Sequence, residues 1–371
     1  YRVYILQGIH TLIFIYDIFN LIKKIKDCSI SNKEIHTFKK SVERCGVLSI
    51  KLVQWGLSRF KIICKDTTNN IVFEELDNFY EHCPFHSDTH TRIKFKEQFH
   101  YDIEDKYYIS RIASGSIAQV YKLQDINTGE IYAMKITHPN IKEQISVSKF
   151  IFDFLLYLNK YFYKRSLNFD TSNFFNSIEK QINLMNEVKN VDHFYRKYKN
   201  NKYIVIPKII EHSTDIIIMT YEEGEYYDNM NIGDYKKSKI ISLLEIFLMN
   251  TMIIDYFIHA DLHKGNWKIR KMNDSNEYQI VIYDFGLCLD VKKFRVREFY
   301  SSIINNNKQS LVDVLCDGIL NINEIENCKE TILENVNKNI DLRYMDMNNI
   351  ISVIIELCYR LNIILDSDYL T

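Results

Sequence analysis

Two short polar runs constrain this chain more than any other feature. The first is His-Ala-Asp-Leu-His-Lys-Gly-Asn at 259–266, and the second is Asp-Phe-Gly at 284–286, directly after an apolar stretch that reads as a buried strand. Asp261, Asn266 and Asp284 are therefore expected in neighbouring loops. There a carboxylate can handle a proton, and oxygen atoms can hold Mg²⁺ beside phosphate groups. The spacing predicts phosphoryl-transfer chemistry.

Composition adds few constraints. The chain has 371 residues with 47 basic and 48 acidic side chains, for a net charge of −1. This balance gives no electrostatic footprint for nucleic acid, so none is expected as a partner. Eight cysteines occur without a C-x-x-C pair, which favours reduced thiols in an intracellular, reducing compartment.

The N-terminal region is apolar. Residues 12–22 form an apolar run that Asp17 and Asn20 interrupt. This run is shorter than the roughly 20 residues that a membrane-spanning helix needs. A buried or membrane-surface amphipathic helix is therefore expected, without a cleavable signal peptide.

The order of the apolar patterns predicts the fold class. Residues 1 to about 105 and the stretches 141–200 and 236–257 have helical spacing. The predicted strands are 109–112, 117–123, 131–136, 203–206 and 215–221. This is the order of an α+β, two-lobed protein-kinase-like fold with an N-terminal helical extension and inserted helices in the N-lobe. Its predicted segments are 1–108, 109–224 and 225–371.

Lys135 lies in the middle of the apolar run 131–136. A lone lysine in a strand usually faces solvent, but the kinase fold places here the lysine that binds the α- and β-phosphates of ATP. A buried ammonium needs an anionic partner. Glu187, 52 positions further on, is the best candidate, and this long gap implies inserted helices.

The loop after the first predicted strand is the candidate phosphate-binding loop. Kinases usually have several glycines here, so that backbone N–H groups can close over the phosphates. This loop has one glycine, and the Cβ atoms around it are expected to stiffen it. The residues predicted to contact ATP are Ala113, Ser114, Gly115 and Ser116.

These motifs resemble those of the UbiB, or aarF-domain (ADCK-type), atypical kinases. The similar segments are Ala-Ser-Gly-Ser-Ile-Ala-Gln-Val-Tyr at 113–121, Ala-Met-Lys at 133–135, and the two runs at 259–266 and 284–286. Lys51 and Gln54 resemble the family's Lys-x-Gly-Gln signature, and residues 74–84 also follow the family pattern. The resemblance covers roughly residues 40–290.

The resemblance implies a kinase-like fold whose N-terminal helices cover the site and block protein substrates. It implies ATP and Mg²⁺ as cofactors, ATPase or unorthodox kinase activity, and support of coenzyme Q biosynthesis or lipid homeostasis. A lipid or isoprenoid small molecule and a membrane surface are the implied partners, and a mitochondrial, membrane-associated location is implied as well.

The resemblance also assigns roles to single residues. Lys51 and Gln54 would reach into the site, and Lys135 would bind phosphates beside Glu187. The resemblance implies that Asp261 is the catalytic base and that Asn266 and Asp284 are the metal ligands.

Several residues depart from the family pattern. Val53 replaces a glycine, Gln181 and Asn183 replace carboxylates, and Lys264 replaces a proline. None of these changes removes the predicted base or the metal ligands. An inactive pseudokinase that uses nucleotide as a switch stays open as an alternative. So does a small-molecule phosphotransferase of the aminoglycoside or choline kinase type.

Two histidine clusters have other interpretations. His259, Asp261 and His263 could belong to a zinc hydrolase, but that would leave Lys135 and the alanine-rich loop unexplained. A second cluster is formed by His82, Cys83, His86 and His90. Because a proline falls within it, we interpret these histidines as solvated side chains of a loop.

Overall fold

The computed structural model describes residues 2–26, 31–54, 83–163, 171–272, 277–319 and 327–341, with six further positions near the C-terminus. The chain forms two compact units. The first comprises Tyr1–Lys164, Ile178–Asn231 and Leu262–Gly286. The second comprises Arg165–Ser177, Ile232–Asp261 and Leu287–Thr371. The three predicted segments stay a prediction.

A five-stranded antiparallel sheet lies in the first unit. Its strands are β1 (Tyr107–Ser114), β2 (Ala118–Asp125), β3 (Ile131–Thr137), β5 (Ile209–His212) and β6 (Ile216–Thr220). They lie in the order β1-β2-β3-β6-β5. Four of them coincide with predicted strands to within a few residues, and β5 was not predicted.

The pleat of β3 decides which way Lys135 points. Met134 and Ile136 are fully buried in the apolar cluster on one face of the sheet. Because side chains alternate along a strand, Lys135 points to the opposite face. Its cross-strand neighbour Ile217 packs there against Leu184. The helix that contains Leu184 therefore covers the face that carries the lysine.

The first unit also contains helices. They are α1 (Arg2–Lys26), α2 (Asn32–Cys45), α3 (Asp88–Phe99), α4 (Ile141–Tyr163) and α6 (Leu184–Tyr198), with a further helical segment at 47–54. Helix α5 (Thr171–Ile182) has residues in both units. The predicted inserted helices are thus α4 and α5, which lie in the chain between β3 and α6.

Helix α1 is longer than its sequence suggested. The segment Arg2–Lys24 is long and apolar enough to cross a membrane by length and composition, and 22% of its apolar window is buried. The expectation that this region is too short to span was wrong, because the apolar character begins well before residue 12. A single such helix near an N-terminus is weak support for a membrane span.

A smaller sheet in the first unit leads to the Asp-Phe-Gly run. It contains β4 (Ile204–Val205), β8 (Trp267–Lys271) and β9 (Tyr278–Ile282), in the order β4-β9-β8. The link after β6 is tied to this sheet, since Glu225 and Ile269 exchange backbone hydrogen bonds of 2.8 and 2.9 Å. A Cβ on Gly224 would lie 2.8 Å from the Lys268 Cβ, so this close approach requires a glycine.

The second unit is mainly helical. Its elements are α7 (Asp234–Met249), a π-helical turn (Asn250–Asp255), the strand pair β7 (Phe257–His259) and β10 (Cys288–Asp290), and the helices α8 (Lys293–Ile304), α9 (Lys308–Cys316) and α10 (Cys328–Asn339). Leu311, Ile332 and Val336 are central to its apolar core. The helix predicted for 236–257 ends earlier, because the chain turns into β7.

Candidate nucleotide site

Lys135 holds two carboxylates in the first unit. Its Nζ donates to both Oε1 and Oε2 of Glu187 and to Oδ1 of Asp284, each at 2.8 Å. The Lys135 and Glu187 side chains are 12% and 2% exposed, whereas that of Asp284 is 46% exposed. The structure thus brings together three of the predicted site residues, and Asp284 is the one most open to solvent.

Helix α6 supplies the support for this cluster. Glu187 lies on the same helix face as the buried residues Leu184 and Val188, as the spacing of helix neighbours requires. On the same side, Asn190 Nδ2 donates to the Phe285 carbonyl at 2.8 Å. The Phe194 ring lies 4.9 Å from that of Phe285. These contacts hold Phe285, the residue after Asp284, against α6.

Asn190 and Phe194 were not singled out in the sequence. Their spacing from Glu187 could have indicated them, because they follow it by three and seven positions and so share its helix face. The Asp-Phe-Gly run needs such a partner wherever its phenylalanine is buried, and Phe285 is 1% exposed. Helix α6 therefore contacts both Lys135 and the loop that carries the predicted metal ligand Asp284.

The backbone of the Asp-Phe-Gly run is constrained. Asp284 has a φ of 51°, in the left-handed region that non-glycine residues rarely adopt. A Cβ at Gly286 would lie 3.1 Å from Asp284 Oδ1 and 3.7 Å from Glu187 Oε2. A larger residue at 286 would crowd the two carboxylates, which explains why a glycine occupies this position.

Burial and charge act in opposite directions on the pKa values of this cluster. Burial raises the pKa of Glu187 above its usual value, although the Lys135 ammonium pulls it down. For Asp284, burial opposes ionisation, but the charge and hydrogen bond of Lys135 outweigh it and lower the pKa. Burial would likewise lower the pKa of Lys135, and the two carboxylates raise it instead. Lys135 thus favours the ionised form of Asp284.

Asn266 lies close to Asp284 along the small sheet. Trp267 pairs with Ile282, and the Tyr283 N–H donates to the Asn266 carbonyl at 2.8 Å. The strand pairing therefore sets the predicted ligands Asn266 and Asp284 at the same end of this sheet. An ionised carboxylate and an amide oxygen are hard oxygen donors of the kind that Mg²⁺ prefers, so these residues fit that metal.

Lys51 belongs electrostatically to the same cluster. Its charge lowers the pKa values of both Glu187 and Asp284. Gln54 follows three residues later in the helical segment 47–54, on the same face as Lys51. Val53, which replaces the family's glycine, is buried in the apolar cluster of α1 and α2.

The other departures also have structural partners. Asn183 caps α6, since its side-chain oxygen accepts the Met185 N–H at 3.1 Å. Gln181 is buried, and Lys264 Nζ lies 3.4 Å from the Asp228 carboxylate. The amide at 183 therefore stabilises the start of the helix that carries Glu187.

The alanine-rich loop forms a tight turn between β1 and β2. Ala113 and Ser114 end β1, and the Gly115 N–H donates to the Ala118 carbonyl at 2.9 Å. The Ser114 side chain is buried, and its hydroxyl donates to the Pro84 carbonyl at 3.0 Å. Ser116 is half-buried. The role of these four residues as nucleotide ligands stays a prediction.

Asp261 lies in the second unit, after β7. Its N–H donates to Nδ1 of His259 at 3.3 Å, and His259 is buried. His263 in the first unit accepts the Gly265 N–H through its own Nδ1 at 3.1 Å. These contacts give both histidines local structural roles, and the base role of Asp261 stays a prediction.

The prediction that the second histidine cluster is solvated was wrong. His86 is 9% exposed, and its ring nitrogens lie 2.8 Å from His138 Nδ1 and 2.9 Å from the Thr91 hydroxyl. The sequence could not show this, because His138 directly follows β3 and lies 52 positions away. His82 and most of the family-like segment 74–84 lie outside the described residues.

The buried His86 predicts a pH-dependent stability. Burial, then the charges of His138, His90 and Arg111, lower its pKa to about 3, while Asp88 opposes them. The folded chain thus takes up this proton less readily than the unfolded one. The resulting stability is complete above about pH 6.5 and is lost as the pH falls toward 3, by at most about 1.4 kcal/mol per pH unit.

The measurement is urea unfolding at pH 7 and pH 5 for wild type and His86→Asn. Asparagine keeps an N–H donor near the position of Nδ1 but does not titrate. The loss of stability between the two pH values should be smaller in the variant. Equal losses in the two proteins would contradict a neutral, buried His86.

Comparison with known proteins identifies the family. Residues 58–315 match the ABC1 atypical kinase-like domain, which is more than half of the chain. The chain belongs to the ABC1 atypical kinase family. The predicted resemblance to UbiB, or aarF-domain, kinases is therefore confirmed. The prediction of an α+β, kinase-like fold with a helical extension is confirmed with it.

Two curated relatives are eukaryotic members of this family. "Probable serine/threonine-protein kinase abkC" of Dictyostelium discoideum is 27% identical over 64% of this chain and 35% of its own length. "ABC1 family protein YPL109C, mitochondrial" of Saccharomyces cerevisiae is 29% identical over 65% of this chain and 40% of its own length. The chain thus spans less than half of either relative.

A solved structure shares the fold. Rv3197 of Mycobacterium tuberculosis, determined in a complex with erythromycin, covers 93% of this chain, and this chain covers 91% of it. The TM-score is 0.52 and the sequence identity is 14%. At this identity, the likeness concerns the fold alone.

Proposed function

We propose that this ABC1-family chain binds Mg²⁺-ATP at the Lys135 cluster and transfers or hydrolyses its terminal phosphate. The observation that carries the proposal is the contact of the largely buried Lys135 ammonium with both Glu187 and Asp284 at 2.8 Å. A lysine held between a helix carboxylate and the Asp-Phe-Gly aspartate is the arrangement that aligns phosphates in kinases.

In this proposal, each residue has a defined task. Lys135 binds phosphate oxygens, and Glu187 keeps the ammonium in place. Asn266 and Asp284 hold Mg²⁺, which neutralises phosphate charge when bound. Asp261 orients or deprotonates the acceptor, either water or a small molecule. Lys51 and Gln54 close the site from the helical extension.

The first experiment is a thermal-shift series with ATP and ADP, with and without Mg²⁺. A ligand that binds the native state raises its apparent stability by mass action, by about 2.7 kcal/mol at 100 times its Kd. Phosphate release from ATP then measures turnover. Binding with no turnover would favour the pseudokinase alternative. Binding of neither nucleotide would remove the proposal.

The physiological role is proposed from the family. We infer that the chain supports coenzyme Q biosynthesis or lipid homeostasis, with a lipid or isoprenoid small molecule as a partner. A mitochondrial location is proposed because a relative carries the word mitochondrial in its name. Growth of a strain lacking this gene, with and without added coenzyme Q, tests the role.

We further propose that α1 and α4 contact a membrane surface. The side of α1 that faces the protein carries both polar and apolar residues: Gln7 and Thr11 are 5% and 0% exposed, and Phe14 is 0% exposed. Gln7 Nε2 donates to Ser148 of α4 at 2.9 Å. The outward side is apolar, with Phe19 69% and Phe150 72% exposed. Large apolar side chains exposed on the outward side favour an apolar environment for this pair of helices.

Charges on the outward side of α1 are expected to weaken membrane binding. The double variant Leu12→Glu/Phe19→Glu should lower binding to phospholipid vesicles at least tenfold. Each glutamate places a charge where an apolar side chain would enter the membrane. Vesicle sedimentation measures this. Tyr235→Glu, at an aromatic that is 83% exposed on α7, is the matched control. Equal binding by all three proteins would contradict the proposal.

A further inference from the structure

His138 contacts the alanine-rich loop, the candidate phosphate-binding loop between β1 and β2, at two points. Its ring Nε2 lies 2.9 Å from the Gly115 carbonyl oxygen. Its backbone N–H donates to the Ile117 carbonyl at 3.0 Å. Because the Gly115 N–H already donates to the Ala118 carbonyl at 2.9 Å, both polar groups of the Gly115 backbone are bound within the protein.

The partners of His138 fix which nitrogen carries its proton. A carbonyl oxygen only accepts, so Nε2 must be the N–H donor, and in the neutral ring Nδ1 must then accept. His86 Nδ1, 2.8 Å away, is therefore the donor. His86 Nε2 is left to accept from the Thr91 hydroxyl at 2.9 Å. Burial favours the neutral form, because it lowers the pKa values of both rings.

The turn is also held from its other side. The Cys83 N–H donates to the Ser114 carbonyl at 2.9 Å, and the Ser114 hydroxyl donates to the Pro84 carbonyl at 3.0 Å. The His86 N–H donates to Gln119 Oε1 at 2.8 Å. Both ends of the turn are thus fixed, and the main remaining freedom is rotation of the peptide group between residues 115 and 116.

That peptide group decides what the loop presents to a ligand. The described peptide bonds are trans, so the Gly115 carbonyl and the Ser116 N–H point in opposite directions. A flip of this group changes ψ of Gly115, which a glycine allows freely, and φ of Ser116, which is more restricted. With the carbonyl held by His138, the Ser116 N–H points away from His138. If the contact were lost, the group could flip and present a carbonyl oxygen, which repels phosphate, in place of the donor.

We propose that His138 is a positioning residue of the phosphate loop: it locks the Gly115–Ser116 peptide so that the Ser116 N–H donates to a phosphate oxygen. The inference rests on the nucleotide function proposed above. It assigns the phosphate donor to a single backbone N–H. The alanine-rich loop then substitutes a locked peptide for the flexible glycines of other kinases.

The test compares the affinity for MgATP with the affinity for adenosine, which lacks phosphates. His138→Phe keeps a ring but removes the donor, and should weaken MgATP binding about tenfold, the typical effect of losing a hydrogen bond to a charged group. Adenosine affinity should change less than twofold. His138→Gln retains an N–H near the position of Nε2 and should recover most of the affinity.

His90→Phe is the matched control. Its ring lies 4.9 Å from that of His86 in the same cluster, and its Nε2 contacts the Thr137 carbonyl at 3.3 Å, not the loop turn. It should bind both ligands like wild type. Ser116→Pro removes the proposed donor without altering the histidines. It should weaken MgATP binding by a similar factor, and it decides the question if His138→Phe does not fold.

The outcomes separate the two proposals. Wild type that binds no nucleotide overturns the proposed function. Wild type that binds MgATP, with His138→Phe or Ser116→Pro binding it equally well, overturns the role of His138 and leaves the function standing. An equal loss in His90→Phe would also overturn it, because the effect would then come from the cluster as a whole.

Discussion

Asp284→Asn is expected to abolish the dependence of ATP binding on Mg²⁺ while leaving the fold intact. In the wild type, Mg²⁺ should increase the thermal shift that ATP causes, because the ionised carboxylate holds the metal against the phosphates. The asparagine side chain lacks this charge, so the increase should disappear. At saturating ATP the difference should amount to about 2–3 kcal/mol of apparent stability.

Two features of the structure make this substitution a clean test. Asparagine tolerates the left-handed backbone better than most residues, and Asp284 has a φ of 51°. Lys135 also keeps Glu187 as a partner in the variant. Asp228→Asn is the control, since this aspartate is exposed and contacts Lys264 at 3.4 Å. A Mg²⁺ effect that persists in Asp284→Asn would remove the assignment of this residue as a metal ligand.

Local patterns in the sequence predicted the elements that carry the site. The strand with Lys135 is a short apolar run, and the helix with Glu187 has apolar residues at helical spacing. Their partnership followed from the need to neutralise a buried ammonium. The structure brings the two groups to 2.8 Å. The antiparallel order of β1, β2 and β3 likewise follows from short connections between apolar runs.

Strands β5, β7, β8 and β10 were not predicted. Residues 267–271 alternate charged side chains with Trp267 and Ile269, and β8 forms because β9 pairs with it. Three-residue strands such as β7 have too few residues to show a period, so only a partner elsewhere in the chain defines them. The same reason explains His86, whose burial depends on His138.

Lys135→Met is expected to be the most destabilising single change in the site. Glu187 is 2% exposed, and its two oxygens would lose the ammonium that both accept from. Removing one partner of a buried ion pair typically costs about 3–5 kcal/mol, because the other charge stays buried. Urea unfolding at pH 7 measures the loss.

The pH dependence of this loss distinguishes a buried charge from a simple packing defect. Burial already raises the pKa of Glu187, and removal of Lys135 should raise it further. A carboxyl with a raised folded pKa favours folding below its unfolded pKa, and this stability is lost as the pH rises through the folded pKa. The deficit of Lys135→Met should therefore be smaller at pH 5 than at pH 8.

A second substitution should restore stability without restoring function. In Lys135→Met/Glu187→Leu, an apolar pair replaces the buried charges, which is often neutral for stability. Lys149→Met is the control, because it removes a more exposed ion pair to Glu179, 3.0 Å long, and should cost less than about 1 kcal/mol. If Lys135→Met costs no more than this control at any pH, the Lys135 pair does not hold the site together. If it costs more and the double variant recovers, the role of Glu187 is to neutralise the Lys135 ammonium.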